Sequence, residues 1–571
     1  MKKTIILSAI AFTGFLNAQT LQDAVAKTEN ERFAAAAVEF RALITKDAAK
    51  GENYFYYGEN FFKNDQLDSA SIFYNKGAEA NATYPLNYVG IGKVFLAKGN
   101  VADAKTQFYK AIALGANKNA ELLRKVAEAW LATDTKNADE ALVQINAAIK
   151  LEPKNPENYI ILGDAQLEKN PTDGSGPIKS YKQATTLNPK SVKGILREGK
   201  LYQRGRNYQL AIDKYKEAVA IDPTFAPAYR ELAEVYSLYQ QHAKAIENWK
   251  KYLELNNSDE ARYRFMSALF SNKQYTDAIT EYEGLKKSGF KSLYLERLAG
   301  YSYYEIGNKT DVEAYNKGLN SIENFFQMAG PNFKYLYNDY KYKGLLLART
   351  GKDSLGVLEM EKAIVLDPAA SGELNTAIAD IYMKSKKYEN VIKAFERKMN
   401  GDWKNLTNND YFTMGRAYYY WGGNIQREAA AIKDAKQRTK KEEETTPLFI
   451  SADSSFSKLT QLSPAWPVGY FWRGKANVQL DPKNDKWLAK QHYEKANSLV
   501  KPEEKATPTY KNNMIEAAEY LGDYYTNSKE GKDKVKADEM WNLVKELDPT
   551  NKKQQFYFNP PKQGTKPAGT K

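Results

Sequence analysis

The feature that most constrains this chain is a set of apolar and small residues that returns about every 34 residues. The clearest copy begins at Pro85, and its residues at positions 4, 7, 8, 11, 20, 24 and 27 are Tyr88, Ile91, Gly92, Phe95, Ala104, Phe108 and Ala111. Neighbours on one face of a helix lie three or four residues apart, so the first four positions predict one amphipathic helix and the last three a second. The stretches from Ala226 and Tyr337 carry the same pattern. The sequence therefore predicts a tandem array of helix pairs.

The residue sizes within the repeat predict how each pair packs. Small residues at positions 8 and 20 allow the two helices to approach closely, and large residues at positions 4, 11 and 24 fill the space around that contact. A proline near position 32 cannot continue the second helix and ends the unit. These prolines are Pro153, Pro189, Pro223, Pro368, Pro464 and Pro549. The pattern resembles the tetratricopeptide repeat (TPR), and the resemblance implies an all-α fold, a right-handed α-solenoid of tandem helix–turn–helix repeats.

The amino terminus has the pattern of an export signal. Lys2 and Lys3 precede the apolar run from Thr4 to Leu16, which is too short to span a bilayer. Asn17-Ala18-Gln19 follows, predicts cleavage after Ala18, and resembles signal peptides of Gram-negative bacteria of the Bacteroidetes type. We therefore expect residues 1–18 to be a signal peptide. The mature chain, without a transmembrane segment, is expected to be periplasmic, with secretion as the alternative.

The composition narrows the classes of partner. The chain has no cysteine, which excludes disulfides, thiolate metal sites and a lipid anchor on cysteine. Its formal net charge of +13 would suit nucleic acid, but an exported protein rarely meets nucleic acid, and the charges are spread over helix surfaces. We expect no nucleic-acid partner. A protein or peptide partner, peptidoglycan or another envelope component fits the charge instead.

The repeat register divides the chain. It blurs between Ser292 and Phe333, and Gly330-Pro331 ends the blurred stretch. We therefore expect an N-terminal array over residues 19–330 and a C-terminal array over residues 331–550.

Two segments of the chain depart from the repeat pattern. A charged insertion near residues 424–448 interrupts the unit that begins near Asn408, and Gln426 to Lys441 reads as one extra surface helix. Because the core residues of this unit lie on either side, replacing the insertion with a short turn is expected to leave melting nearly unchanged. Residues 551–571 are rich in lysine, proline and glycine, and we expect them to form a disordered basic tail.

The sequence shows no catalytic constellation. The two histidines, His242 and His492, belong to different repeats, and no nucleophile-elbow, zinc-protease or phosphate-loop motif occurs. We expect no enzyme, no catalytic or metal-ligating residues and no cofactor. A glycosidase is the kind of enzyme that the sequence does not exclude, because two carboxylates suffice for glycoside hydrolysis.

The resemblance to TPR proteins also implies a site. In that family the concave surface is lined mainly by first helices, at positions 2, 5, 9, 12 and 13 of the repeat. The matching residues here are Phe55, Phe62, Lys63, Lys200, Gln203, Arg204, Arg230, Tyr263, Phe270, Lys341, Phe412, Arg416, Tyr419, Tyr420 and Phe471. Cations beside aromatic rings suit an extended peptide with acidic or C-terminal carboxylates. The family's carboxylate clamp also places asparagines beside its lysines, and Lys200, Arg204 and Arg230 lack them.

These observations favour a binding function. The first hypothesis is a periplasmic scaffold that holds partner proteins or extended peptides on its concave surface, in outer-membrane assembly, secretion or envelope maintenance. A solenoid that binds glycan or peptidoglycan through its many aromatic residues is the alternative, and an enzyme is the third.

Overall fold

The structure, a computed structural model, describes residues 20–116, 118–308, 312–402 and 406–560. The expected signal peptide, residues 1–18, lies outside these residues. Every regular element in the described ranges is a helix, which confirms the predicted all-α fold.

The helices fall into pairs in which a first helix is followed by a second. The first seventeen are α1 (Leu21–Glu29), α2 (Phe33–Lys46), α3 (Gly51–Lys63), α4 (Leu67–Ala80), α5 (Leu86–Ala97), α6 (Val101–Leu114), α7 (Ala120–Leu131), α8 (Ala138–Leu151), α9 (Pro156–Lys169), α10 (Ser175–Leu187), α11 (Val192–Arg204), α12 (Tyr208–Ile221), α13 (Ala226–Leu238), α14 (His242–Leu255), α15 (Asp259–Ser271), α16 (Tyr275–Ser288) and α17 (Leu293–Ile306). The remainder are α18 (Val312–Ala329), α19 (Tyr337–Arg349), α20 (Asp353–Leu366), α21 (Gly372–Lys384), α22 (Tyr388–Asp402), α23 (Asn408–Ala430), α24 (Ala435–Glu443), α25 (Thr445–Leu462), α26 (Pro467–Leu480), α27 (Lys490–Leu499), α28 (Lys511–Asn527), α29 (Lys534–Leu547) and α30 (Lys552–Phe558).

The packing between helices is that of a solenoid. Each first helix packs against its own second helix, as α3 does against α4 and α19 against α20. First helices also contact the first helix of the next repeat, as in the series α3, α5, α7, α9, α11 and α13 and in the series α19, α21 and α23. Each series of first helices therefore forms one continuous surface within its part of the chain.

In the pairs that have glycine at position 8, the close approach of the two helices depends on it. A Cβ added to Gly163 would lie 2.3 Å from Cε1 of Tyr181, and one added to Gly474 would lie 2.2 Å from Cε1 of Tyr493. Both tyrosines correspond to position 24 of the repeat, displaced by the longer turns of their own repeats, and are fully buried. The periodic small and large residues of the sequence are thus complementary surfaces of paired helices.

The chain separates into two compact units between Ser302 and Tyr303. The expected boundary lay at residue 330, where Gly330-Pro331 ends the blurred stretch. The separation falls earlier because α18 packs against α19, and the ring of Phe326 stacks on that of Tyr335 with 4.4 Å between centroids.

The insertion is built differently from the expectation. Instead of one surface helix from Gln426 to Lys441, α23 continues to Ala430 and α24 begins only at Ala435. Ile425 and Ala429 are buried, and a Cβ on Gly422 would lie 2.8 Å from the ring of Phe449. The insertion lengthens both helices of its repeat and extends the core, so the expectation that it is dispensable for packing is wrong. Of the three helices in this repeat, only α24 has no buried residue.

The expected disordered tail begins with a helix. Residues 552–558 form α30, and Tyr557 stacks on Trp541 of α29 with 5.5 Å between ring centroids. The lysine-rich composition suggested disorder, but the aromatic residues of this segment cover the exposed end of the last repeat, which a solenoid needs. Residues 561–571 lie outside the described residues.

Candidate functional site

The first helices of the N-terminal unit line a cavity of about 550 Å³, named here the N-terminal groove. Eight basic and six acidic side chains face it. The basic side chains all lie on first helices, from α3 to α13, and are Lys63, Lys93, Arg124, Lys125, Lys193, Arg197, Lys200 and Arg230. The repeat therefore aligns cations from successive helices along one surface.

An acidic turn from the start of the same array enters this groove. The turn between α1 and α2, here called the tip, consists of Glu29, Asn30 and Glu31. Glu29 accepts a hydrogen bond from Lys63 Nζ at 2.7 Å and pairs with Lys193 Nζ at 2.9 Å. One carboxylate thus bridges α3 and α11, which lie four repeats apart in sequence.

The other two residues of the tip contact still more distant helices. Glu31 pairs with Arg230 Nη1 at 3.1 Å and accepts a hydrogen bond from the hydroxyl of Tyr252 at 2.8 Å. Asn30 donates from Nδ2 to Asp222 at 3.1 Å. Glu31 has a φ of 54°, in the left-handed region that a tight turn between helices requires. The first repeat is thereby joined to residues about 200 positions later in the chain.

The electrostatics of the tip favour its ionised form. Burial alone would raise the pKa of Glu29, but the charges of Lys63, Lys193 and Lys125 outweigh it and hold that pKa well below its ordinary value. Burial alone would lower the pKa of Arg230, and the charges of Glu31 and Glu231 instead hold it raised. These groups therefore stay charged at neutral pH, and the tip is held by complementary charges.

The predicted residues of the N-terminal unit lie on this surface but already have partners. Phe62, Lys63, Lys200 and Arg230 line the N-terminal groove, and Lys200, Gln203 and Arg204 line a neighbouring cavity of about 700 Å³. Lys200 pairs with Glu231 at 2.9 Å. Gln203 accepts from the hydroxyl of Tyr215 at 2.7 Å, and Arg204 donates to the carbonyl of Pro171 at 2.9 Å.

The aromatic residues that were predicted to line the groove differ in how deeply they are buried. Phe55 and Phe471 are fully buried in the cores of their units and do not line a surface, so their assignment to the groove was wrong. An aromatic ring at position 5 gains more from burial between helices, whereas a long cationic side chain there, such as that of Arg230, reaches beyond the core to an acidic partner. Tyr263 and Phe270 are half-buried on α15, and burial raises the pKa of Tyr263.

The C-terminal unit brings predicted residues together around one arginine. The guanidinium of Arg416, on α23, lies 5.4 Å from the ring centroid of Phe412, 5.7 Å from Tyr420 and 5.8 Å from Trp472. With Tyr419 and Trp466, these residues form what we call the aromatic–arginine cluster: Phe412, Arg416, Tyr419, Tyr420, Trp466 and Trp472. Such contacts stabilise a cation through the negative faces of the rings.

The rings of this cluster hold one another in place. Trp472 meets Tyr419 and Tyr420 nearly edge-on, with centroids 5.4 and 5.9 Å apart. Trp466 packs against Phe412 at 5.5 Å and is 36% exposed. The cluster therefore has an internal aromatic wall, and the ring of Trp466 lies at its solvent side.

The predicted cations differ in whether the chain itself satisfies them. Lys63, Lys200, Arg204 and Arg230 are paired as described above, and Lys341 pairs with Glu373 at 2.6 Å. Within residues 20–116, 118–308, 312–402 and 406–560, no hydrogen-bond acceptor or carboxylate bonds the guanidinium of Arg416. Its Nε is buried without a partner, as is that of Arg230, but Arg230 pairs through both of its terminal nitrogens. Arg416 is thus the predicted cation that forms no hydrogen bond or ion pair with the described residues.

Some residues of both sites were absent from the sequence prediction. Glu29 and Glu31 were missed because the first repeat is degenerate and its turn was not expected to reach other repeats. Trp466 and Trp472 were missed because they lie outside the groove positions of their own repeat. The aromatic residues around Phe471, read together with Arg416 in the preceding repeat, were the one signal that could have indicated the cluster.

The described part of the chain contains no group of three or more His, Cys, Asp or Glu side chains placed to hold a metal ion. It also contains no helix with the length and apolar character needed to cross a bilayer. His492 is buried, and burial together with Arg473 lowers its pKa to about 4, so it is neutral at pH 7.

Comparison with known proteins finds similar solved structures. No protein-family model and no curated protein matches the chain. The C-terminal part of a TPR repeat-containing protein from Cytophaga hutchinsonii is 29% identical, with a TM-score of 0.38, over 51% of this chain and 97% of that one. A thermophilic TPR protein from Thermus thermophilus is 22% identical, with a TM-score of 0.29, over 33% of this chain and 99% of that one. Both of these solved structures are described as TPR proteins.

Proposed function

We propose that this chain is a scaffold that binds partner proteins by holding extended acidic segments on the first-helix surfaces of its repeats. The observation that supports this proposal most directly is the tip in the N-terminal groove. There the chain's own acidic turn is held by cations from three different first helices, α3, α11 and α13.

The contacts of the tip indicate what kind of segment such a surface accepts. Two carboxylates two residues apart, those of Glu29 and Glu31, reach separate cations, and the amide between them reaches Asp222. A partner segment with spaced acidic residues presents the same groups to the same helices. Charge-assisted hydrogen bonds of this kind are stronger than neutral ones and fix the register of an extended segment.

The place of action is part of the proposal. The pattern of residues 1–18 supports export, and we propose that the mature chain works in the periplasm as a TPR-type scaffold in outer-membrane assembly, secretion or envelope maintenance. Its basic net charge also suits anionic envelope components, including peptidoglycan.

Glycan binding is less favoured by the geometry of the aromatic residues. A platform for sugars needs a flat ring face open to solvent, whereas Trp472 is surrounded by Phe412, Tyr419 and Tyr420. The aromatic wealth of the chain serves mainly to fill space between helices, as Tyr181 and Tyr493 show.

The proposal is tested by weakening the tip. The variant Glu29→Gln with Glu31→Gln keeps the shape of the turn but removes both negative charges. Lys63 then loses its ion pair, Lys193 keeps only the 3.5 Å pair with Glu157, and Arg230 keeps only Glu231. Binding of a fluorescein-labelled, twelve-residue peptide with alternating glutamates is measured by fluorescence anisotropy at low salt. We expect the variant to bind about tenfold more tightly than the wild type, a change of about 1.4 kcal/mol.

The control removes one negative charge from an exposed pair. Glu254 pairs with Lys251 at 2.8 Å on the surface of α14, away from the groove, so Glu254→Gln should leave binding within about twofold of wild type, as expected of a weak exposed pair. Equal affinity of the tip variant and the wild type, or equal binding of a glutamine version of the peptide, would contradict the proposed function.

A further inference from the structure

We propose that the aromatic–arginine cluster is a binding site for one carboxylate of an extended peptide in which the acidic residue adjoins an apolar residue. The inference rests on the proposed function, because it takes a partner's peptide segment as the ligand. It adds a second site, in the C-terminal unit, whose chemistry differs from that of the N-terminal groove.

Arg416 has no hydrogen-bond partner among the described residues. The guanidinium of Arg416 is walled by Phe412, Tyr420 and Trp472, and its buried Nε has no acceptor. Its terminal nitrogens form no hydrogen bond to the described residues either, and they are not among the fully buried polar atoms without a partner. The outer edge of the guanidinium fork is therefore not sealed from solvent.

The acidic side chains near the cluster already have partners of their own. Glu516 bonds Lys475 and accepts a hydrogen bond from Tyr493 at 3.0 Å. Asp453 holds Arg473 through two hydrogen bonds of 2.9 and 3.1 Å. With these carboxylates committed, the charge of Arg416 is left to be complemented from outside.

The shape of the site favours a carboxylate as the ligand. A guanidinium fork is planar and matches a carboxylate through two parallel hydrogen bonds. Rings around Arg416 restrict the approach to that outer edge, which suits a flat carboxylate better than a bulky tetrahedral anion. At the solvent side of the same wall, the partly exposed ring of Trp466 offers apolar contact to the residue next to the acid.

The location agrees with a peptide ligand. Arg416 and Phe412 lie on α23 and Trp472 on α26, first helices of consecutive repeats. A first-helix surface is where a solenoid presents its binding residues. The site differs from the TPR family's clamp of lysines and asparagines, because a single arginine set in an aromatic wall supplies the charge.

The experiment measures peptide binding by fluorescence anisotropy in about 50 mM salt, a concentration at which exposed charges are only partly screened. The probes are three fluorescein-labelled octapeptides: one with an internal Glu-Leu pair and an amidated end, its Gln-Leu counterpart, and the Gln-Leu counterpart with a free C-terminal carboxylate. Arg416→Gln is compared with Arg427→Gln, which removes an exposed arginine from the same helix. The two acidic probes distinguish a side-chain carboxylate from a terminal one.

We expect at least one acidic probe to bind the wild type at least tenfold more tightly than the amidated Gln-Leu probe. Arg416→Gln should weaken that binding at least tenfold, and Arg427→Gln should change it less than twofold. Unchanged binding by Arg416→Gln, or no binding of either acidic probe, overturns the inference. If the tip variant still gains affinity while Arg416→Gln changes nothing, only the second site is refuted and the proposed function stands.

Discussion

The N-terminal groove and the aromatic–arginine cluster use the same kind of helix surface in opposite states. In the groove, cations on α3, α11 and α13 are neutralised by the chain's own acidic tip. In the cluster, Arg416 lies among aromatic rings, and no acid from the described residues reaches it. The groove is thus occupied by a segment of the same chain, whereas the cluster is open.

This difference shows that position in the repeat does not by itself make a residue available for binding. Arg230 and Phe412 both occupy position 5 of their repeats, as do the buried Phe55 and Phe471. What decides their role is the surrounding charge and bulk, which come from other repeats. The comparison between the two sites leads to the following predictions.

The largest expected effect is on stability, and it differs between the paired Arg230 and the unpaired Arg416. Arg230→Met leaves the carboxylates of Glu31 and Glu231 without their guanidinium, and Glu231 is almost fully buried. We expect this variant to lose about 2 kcal/mol of stability, because Glu31 loses its only cation and the buried Glu231 keeps only Lys200. Thermal unfolding followed by circular dichroism measures the loss.

Arg416→Met is the matched substitution in the other site. It removes the same side-chain charge but breaks no ion pair, so we expect its unfolding free energy to stay within about 0.5 kcal/mol of wild type. Equal destabilisation by Arg230→Met and Arg416→Met would mean that Arg416 has a structural role as large as that of Arg230, and the comparison would fail.

A second difference between the two units is their response to pH. Burial and Arg473 lower the pKa of His492 to about 4, so between about pH 6.5 and pH 4 the unfolded chain binds a proton that the folded chain does not. Stability should therefore fall as the pH drops through this window, by about 2 kcal/mol between neutral pH and about pH 5. The ion pairs of Glu29 should be unaffected there, because the pKa of Glu29 lies well below its ordinary value and those pairs weaken only at lower pH.

Melting of the wild type and of His492→Gln at neutral pH and at about pH 5 checks this prediction. The substitution should reduce the loss of stability on acidification, whereas His242→Gln, at the start of α14, should leave it as in the wild type. An identical pH dependence in all three proteins would show that His492 does not contribute to it.

The sequence predicted the helix pairs well, because their packing is local. Gly163 and Tyr181 lie 18 residues apart, and their contact is fixed by the turn between two helices. Three of the eight cations that line the groove, Lys63, Lys200 and Arg230, were among the predicted residues, since first-helix positions recur with the repeat. Phe55 was misplaced because a position in the repeat gives no information on how deeply a given ring is covered.

What the sequence could not predict depends on distant repeats. Glu31 meets Tyr252 only because the small rotation between successive repeats accumulates along the array. Trp472 of α26 meets Arg416 of α23 across two consecutive repeats, and a position in one repeat does not indicate which rings of the next repeat surround it. The aromatic residues of α30 were hidden by a lysine-rich composition typical of disorder.

The central claim is that the groove is occupied and the cluster is open. Its most direct test is photo-crosslinking of an acidic peptide that carries a benzophenone group, with the labelled residues mapped by mass spectrometry in the wild type and in the Glu29→Gln, Glu31→Gln variant. We expect the wild type to be labelled on α23 and α26 and the variant to be labelled there and also on α3, α11 and α13. Labelling of the N-terminal groove to the same extent in both proteins, or no labelling around Arg416 in either, would contradict it.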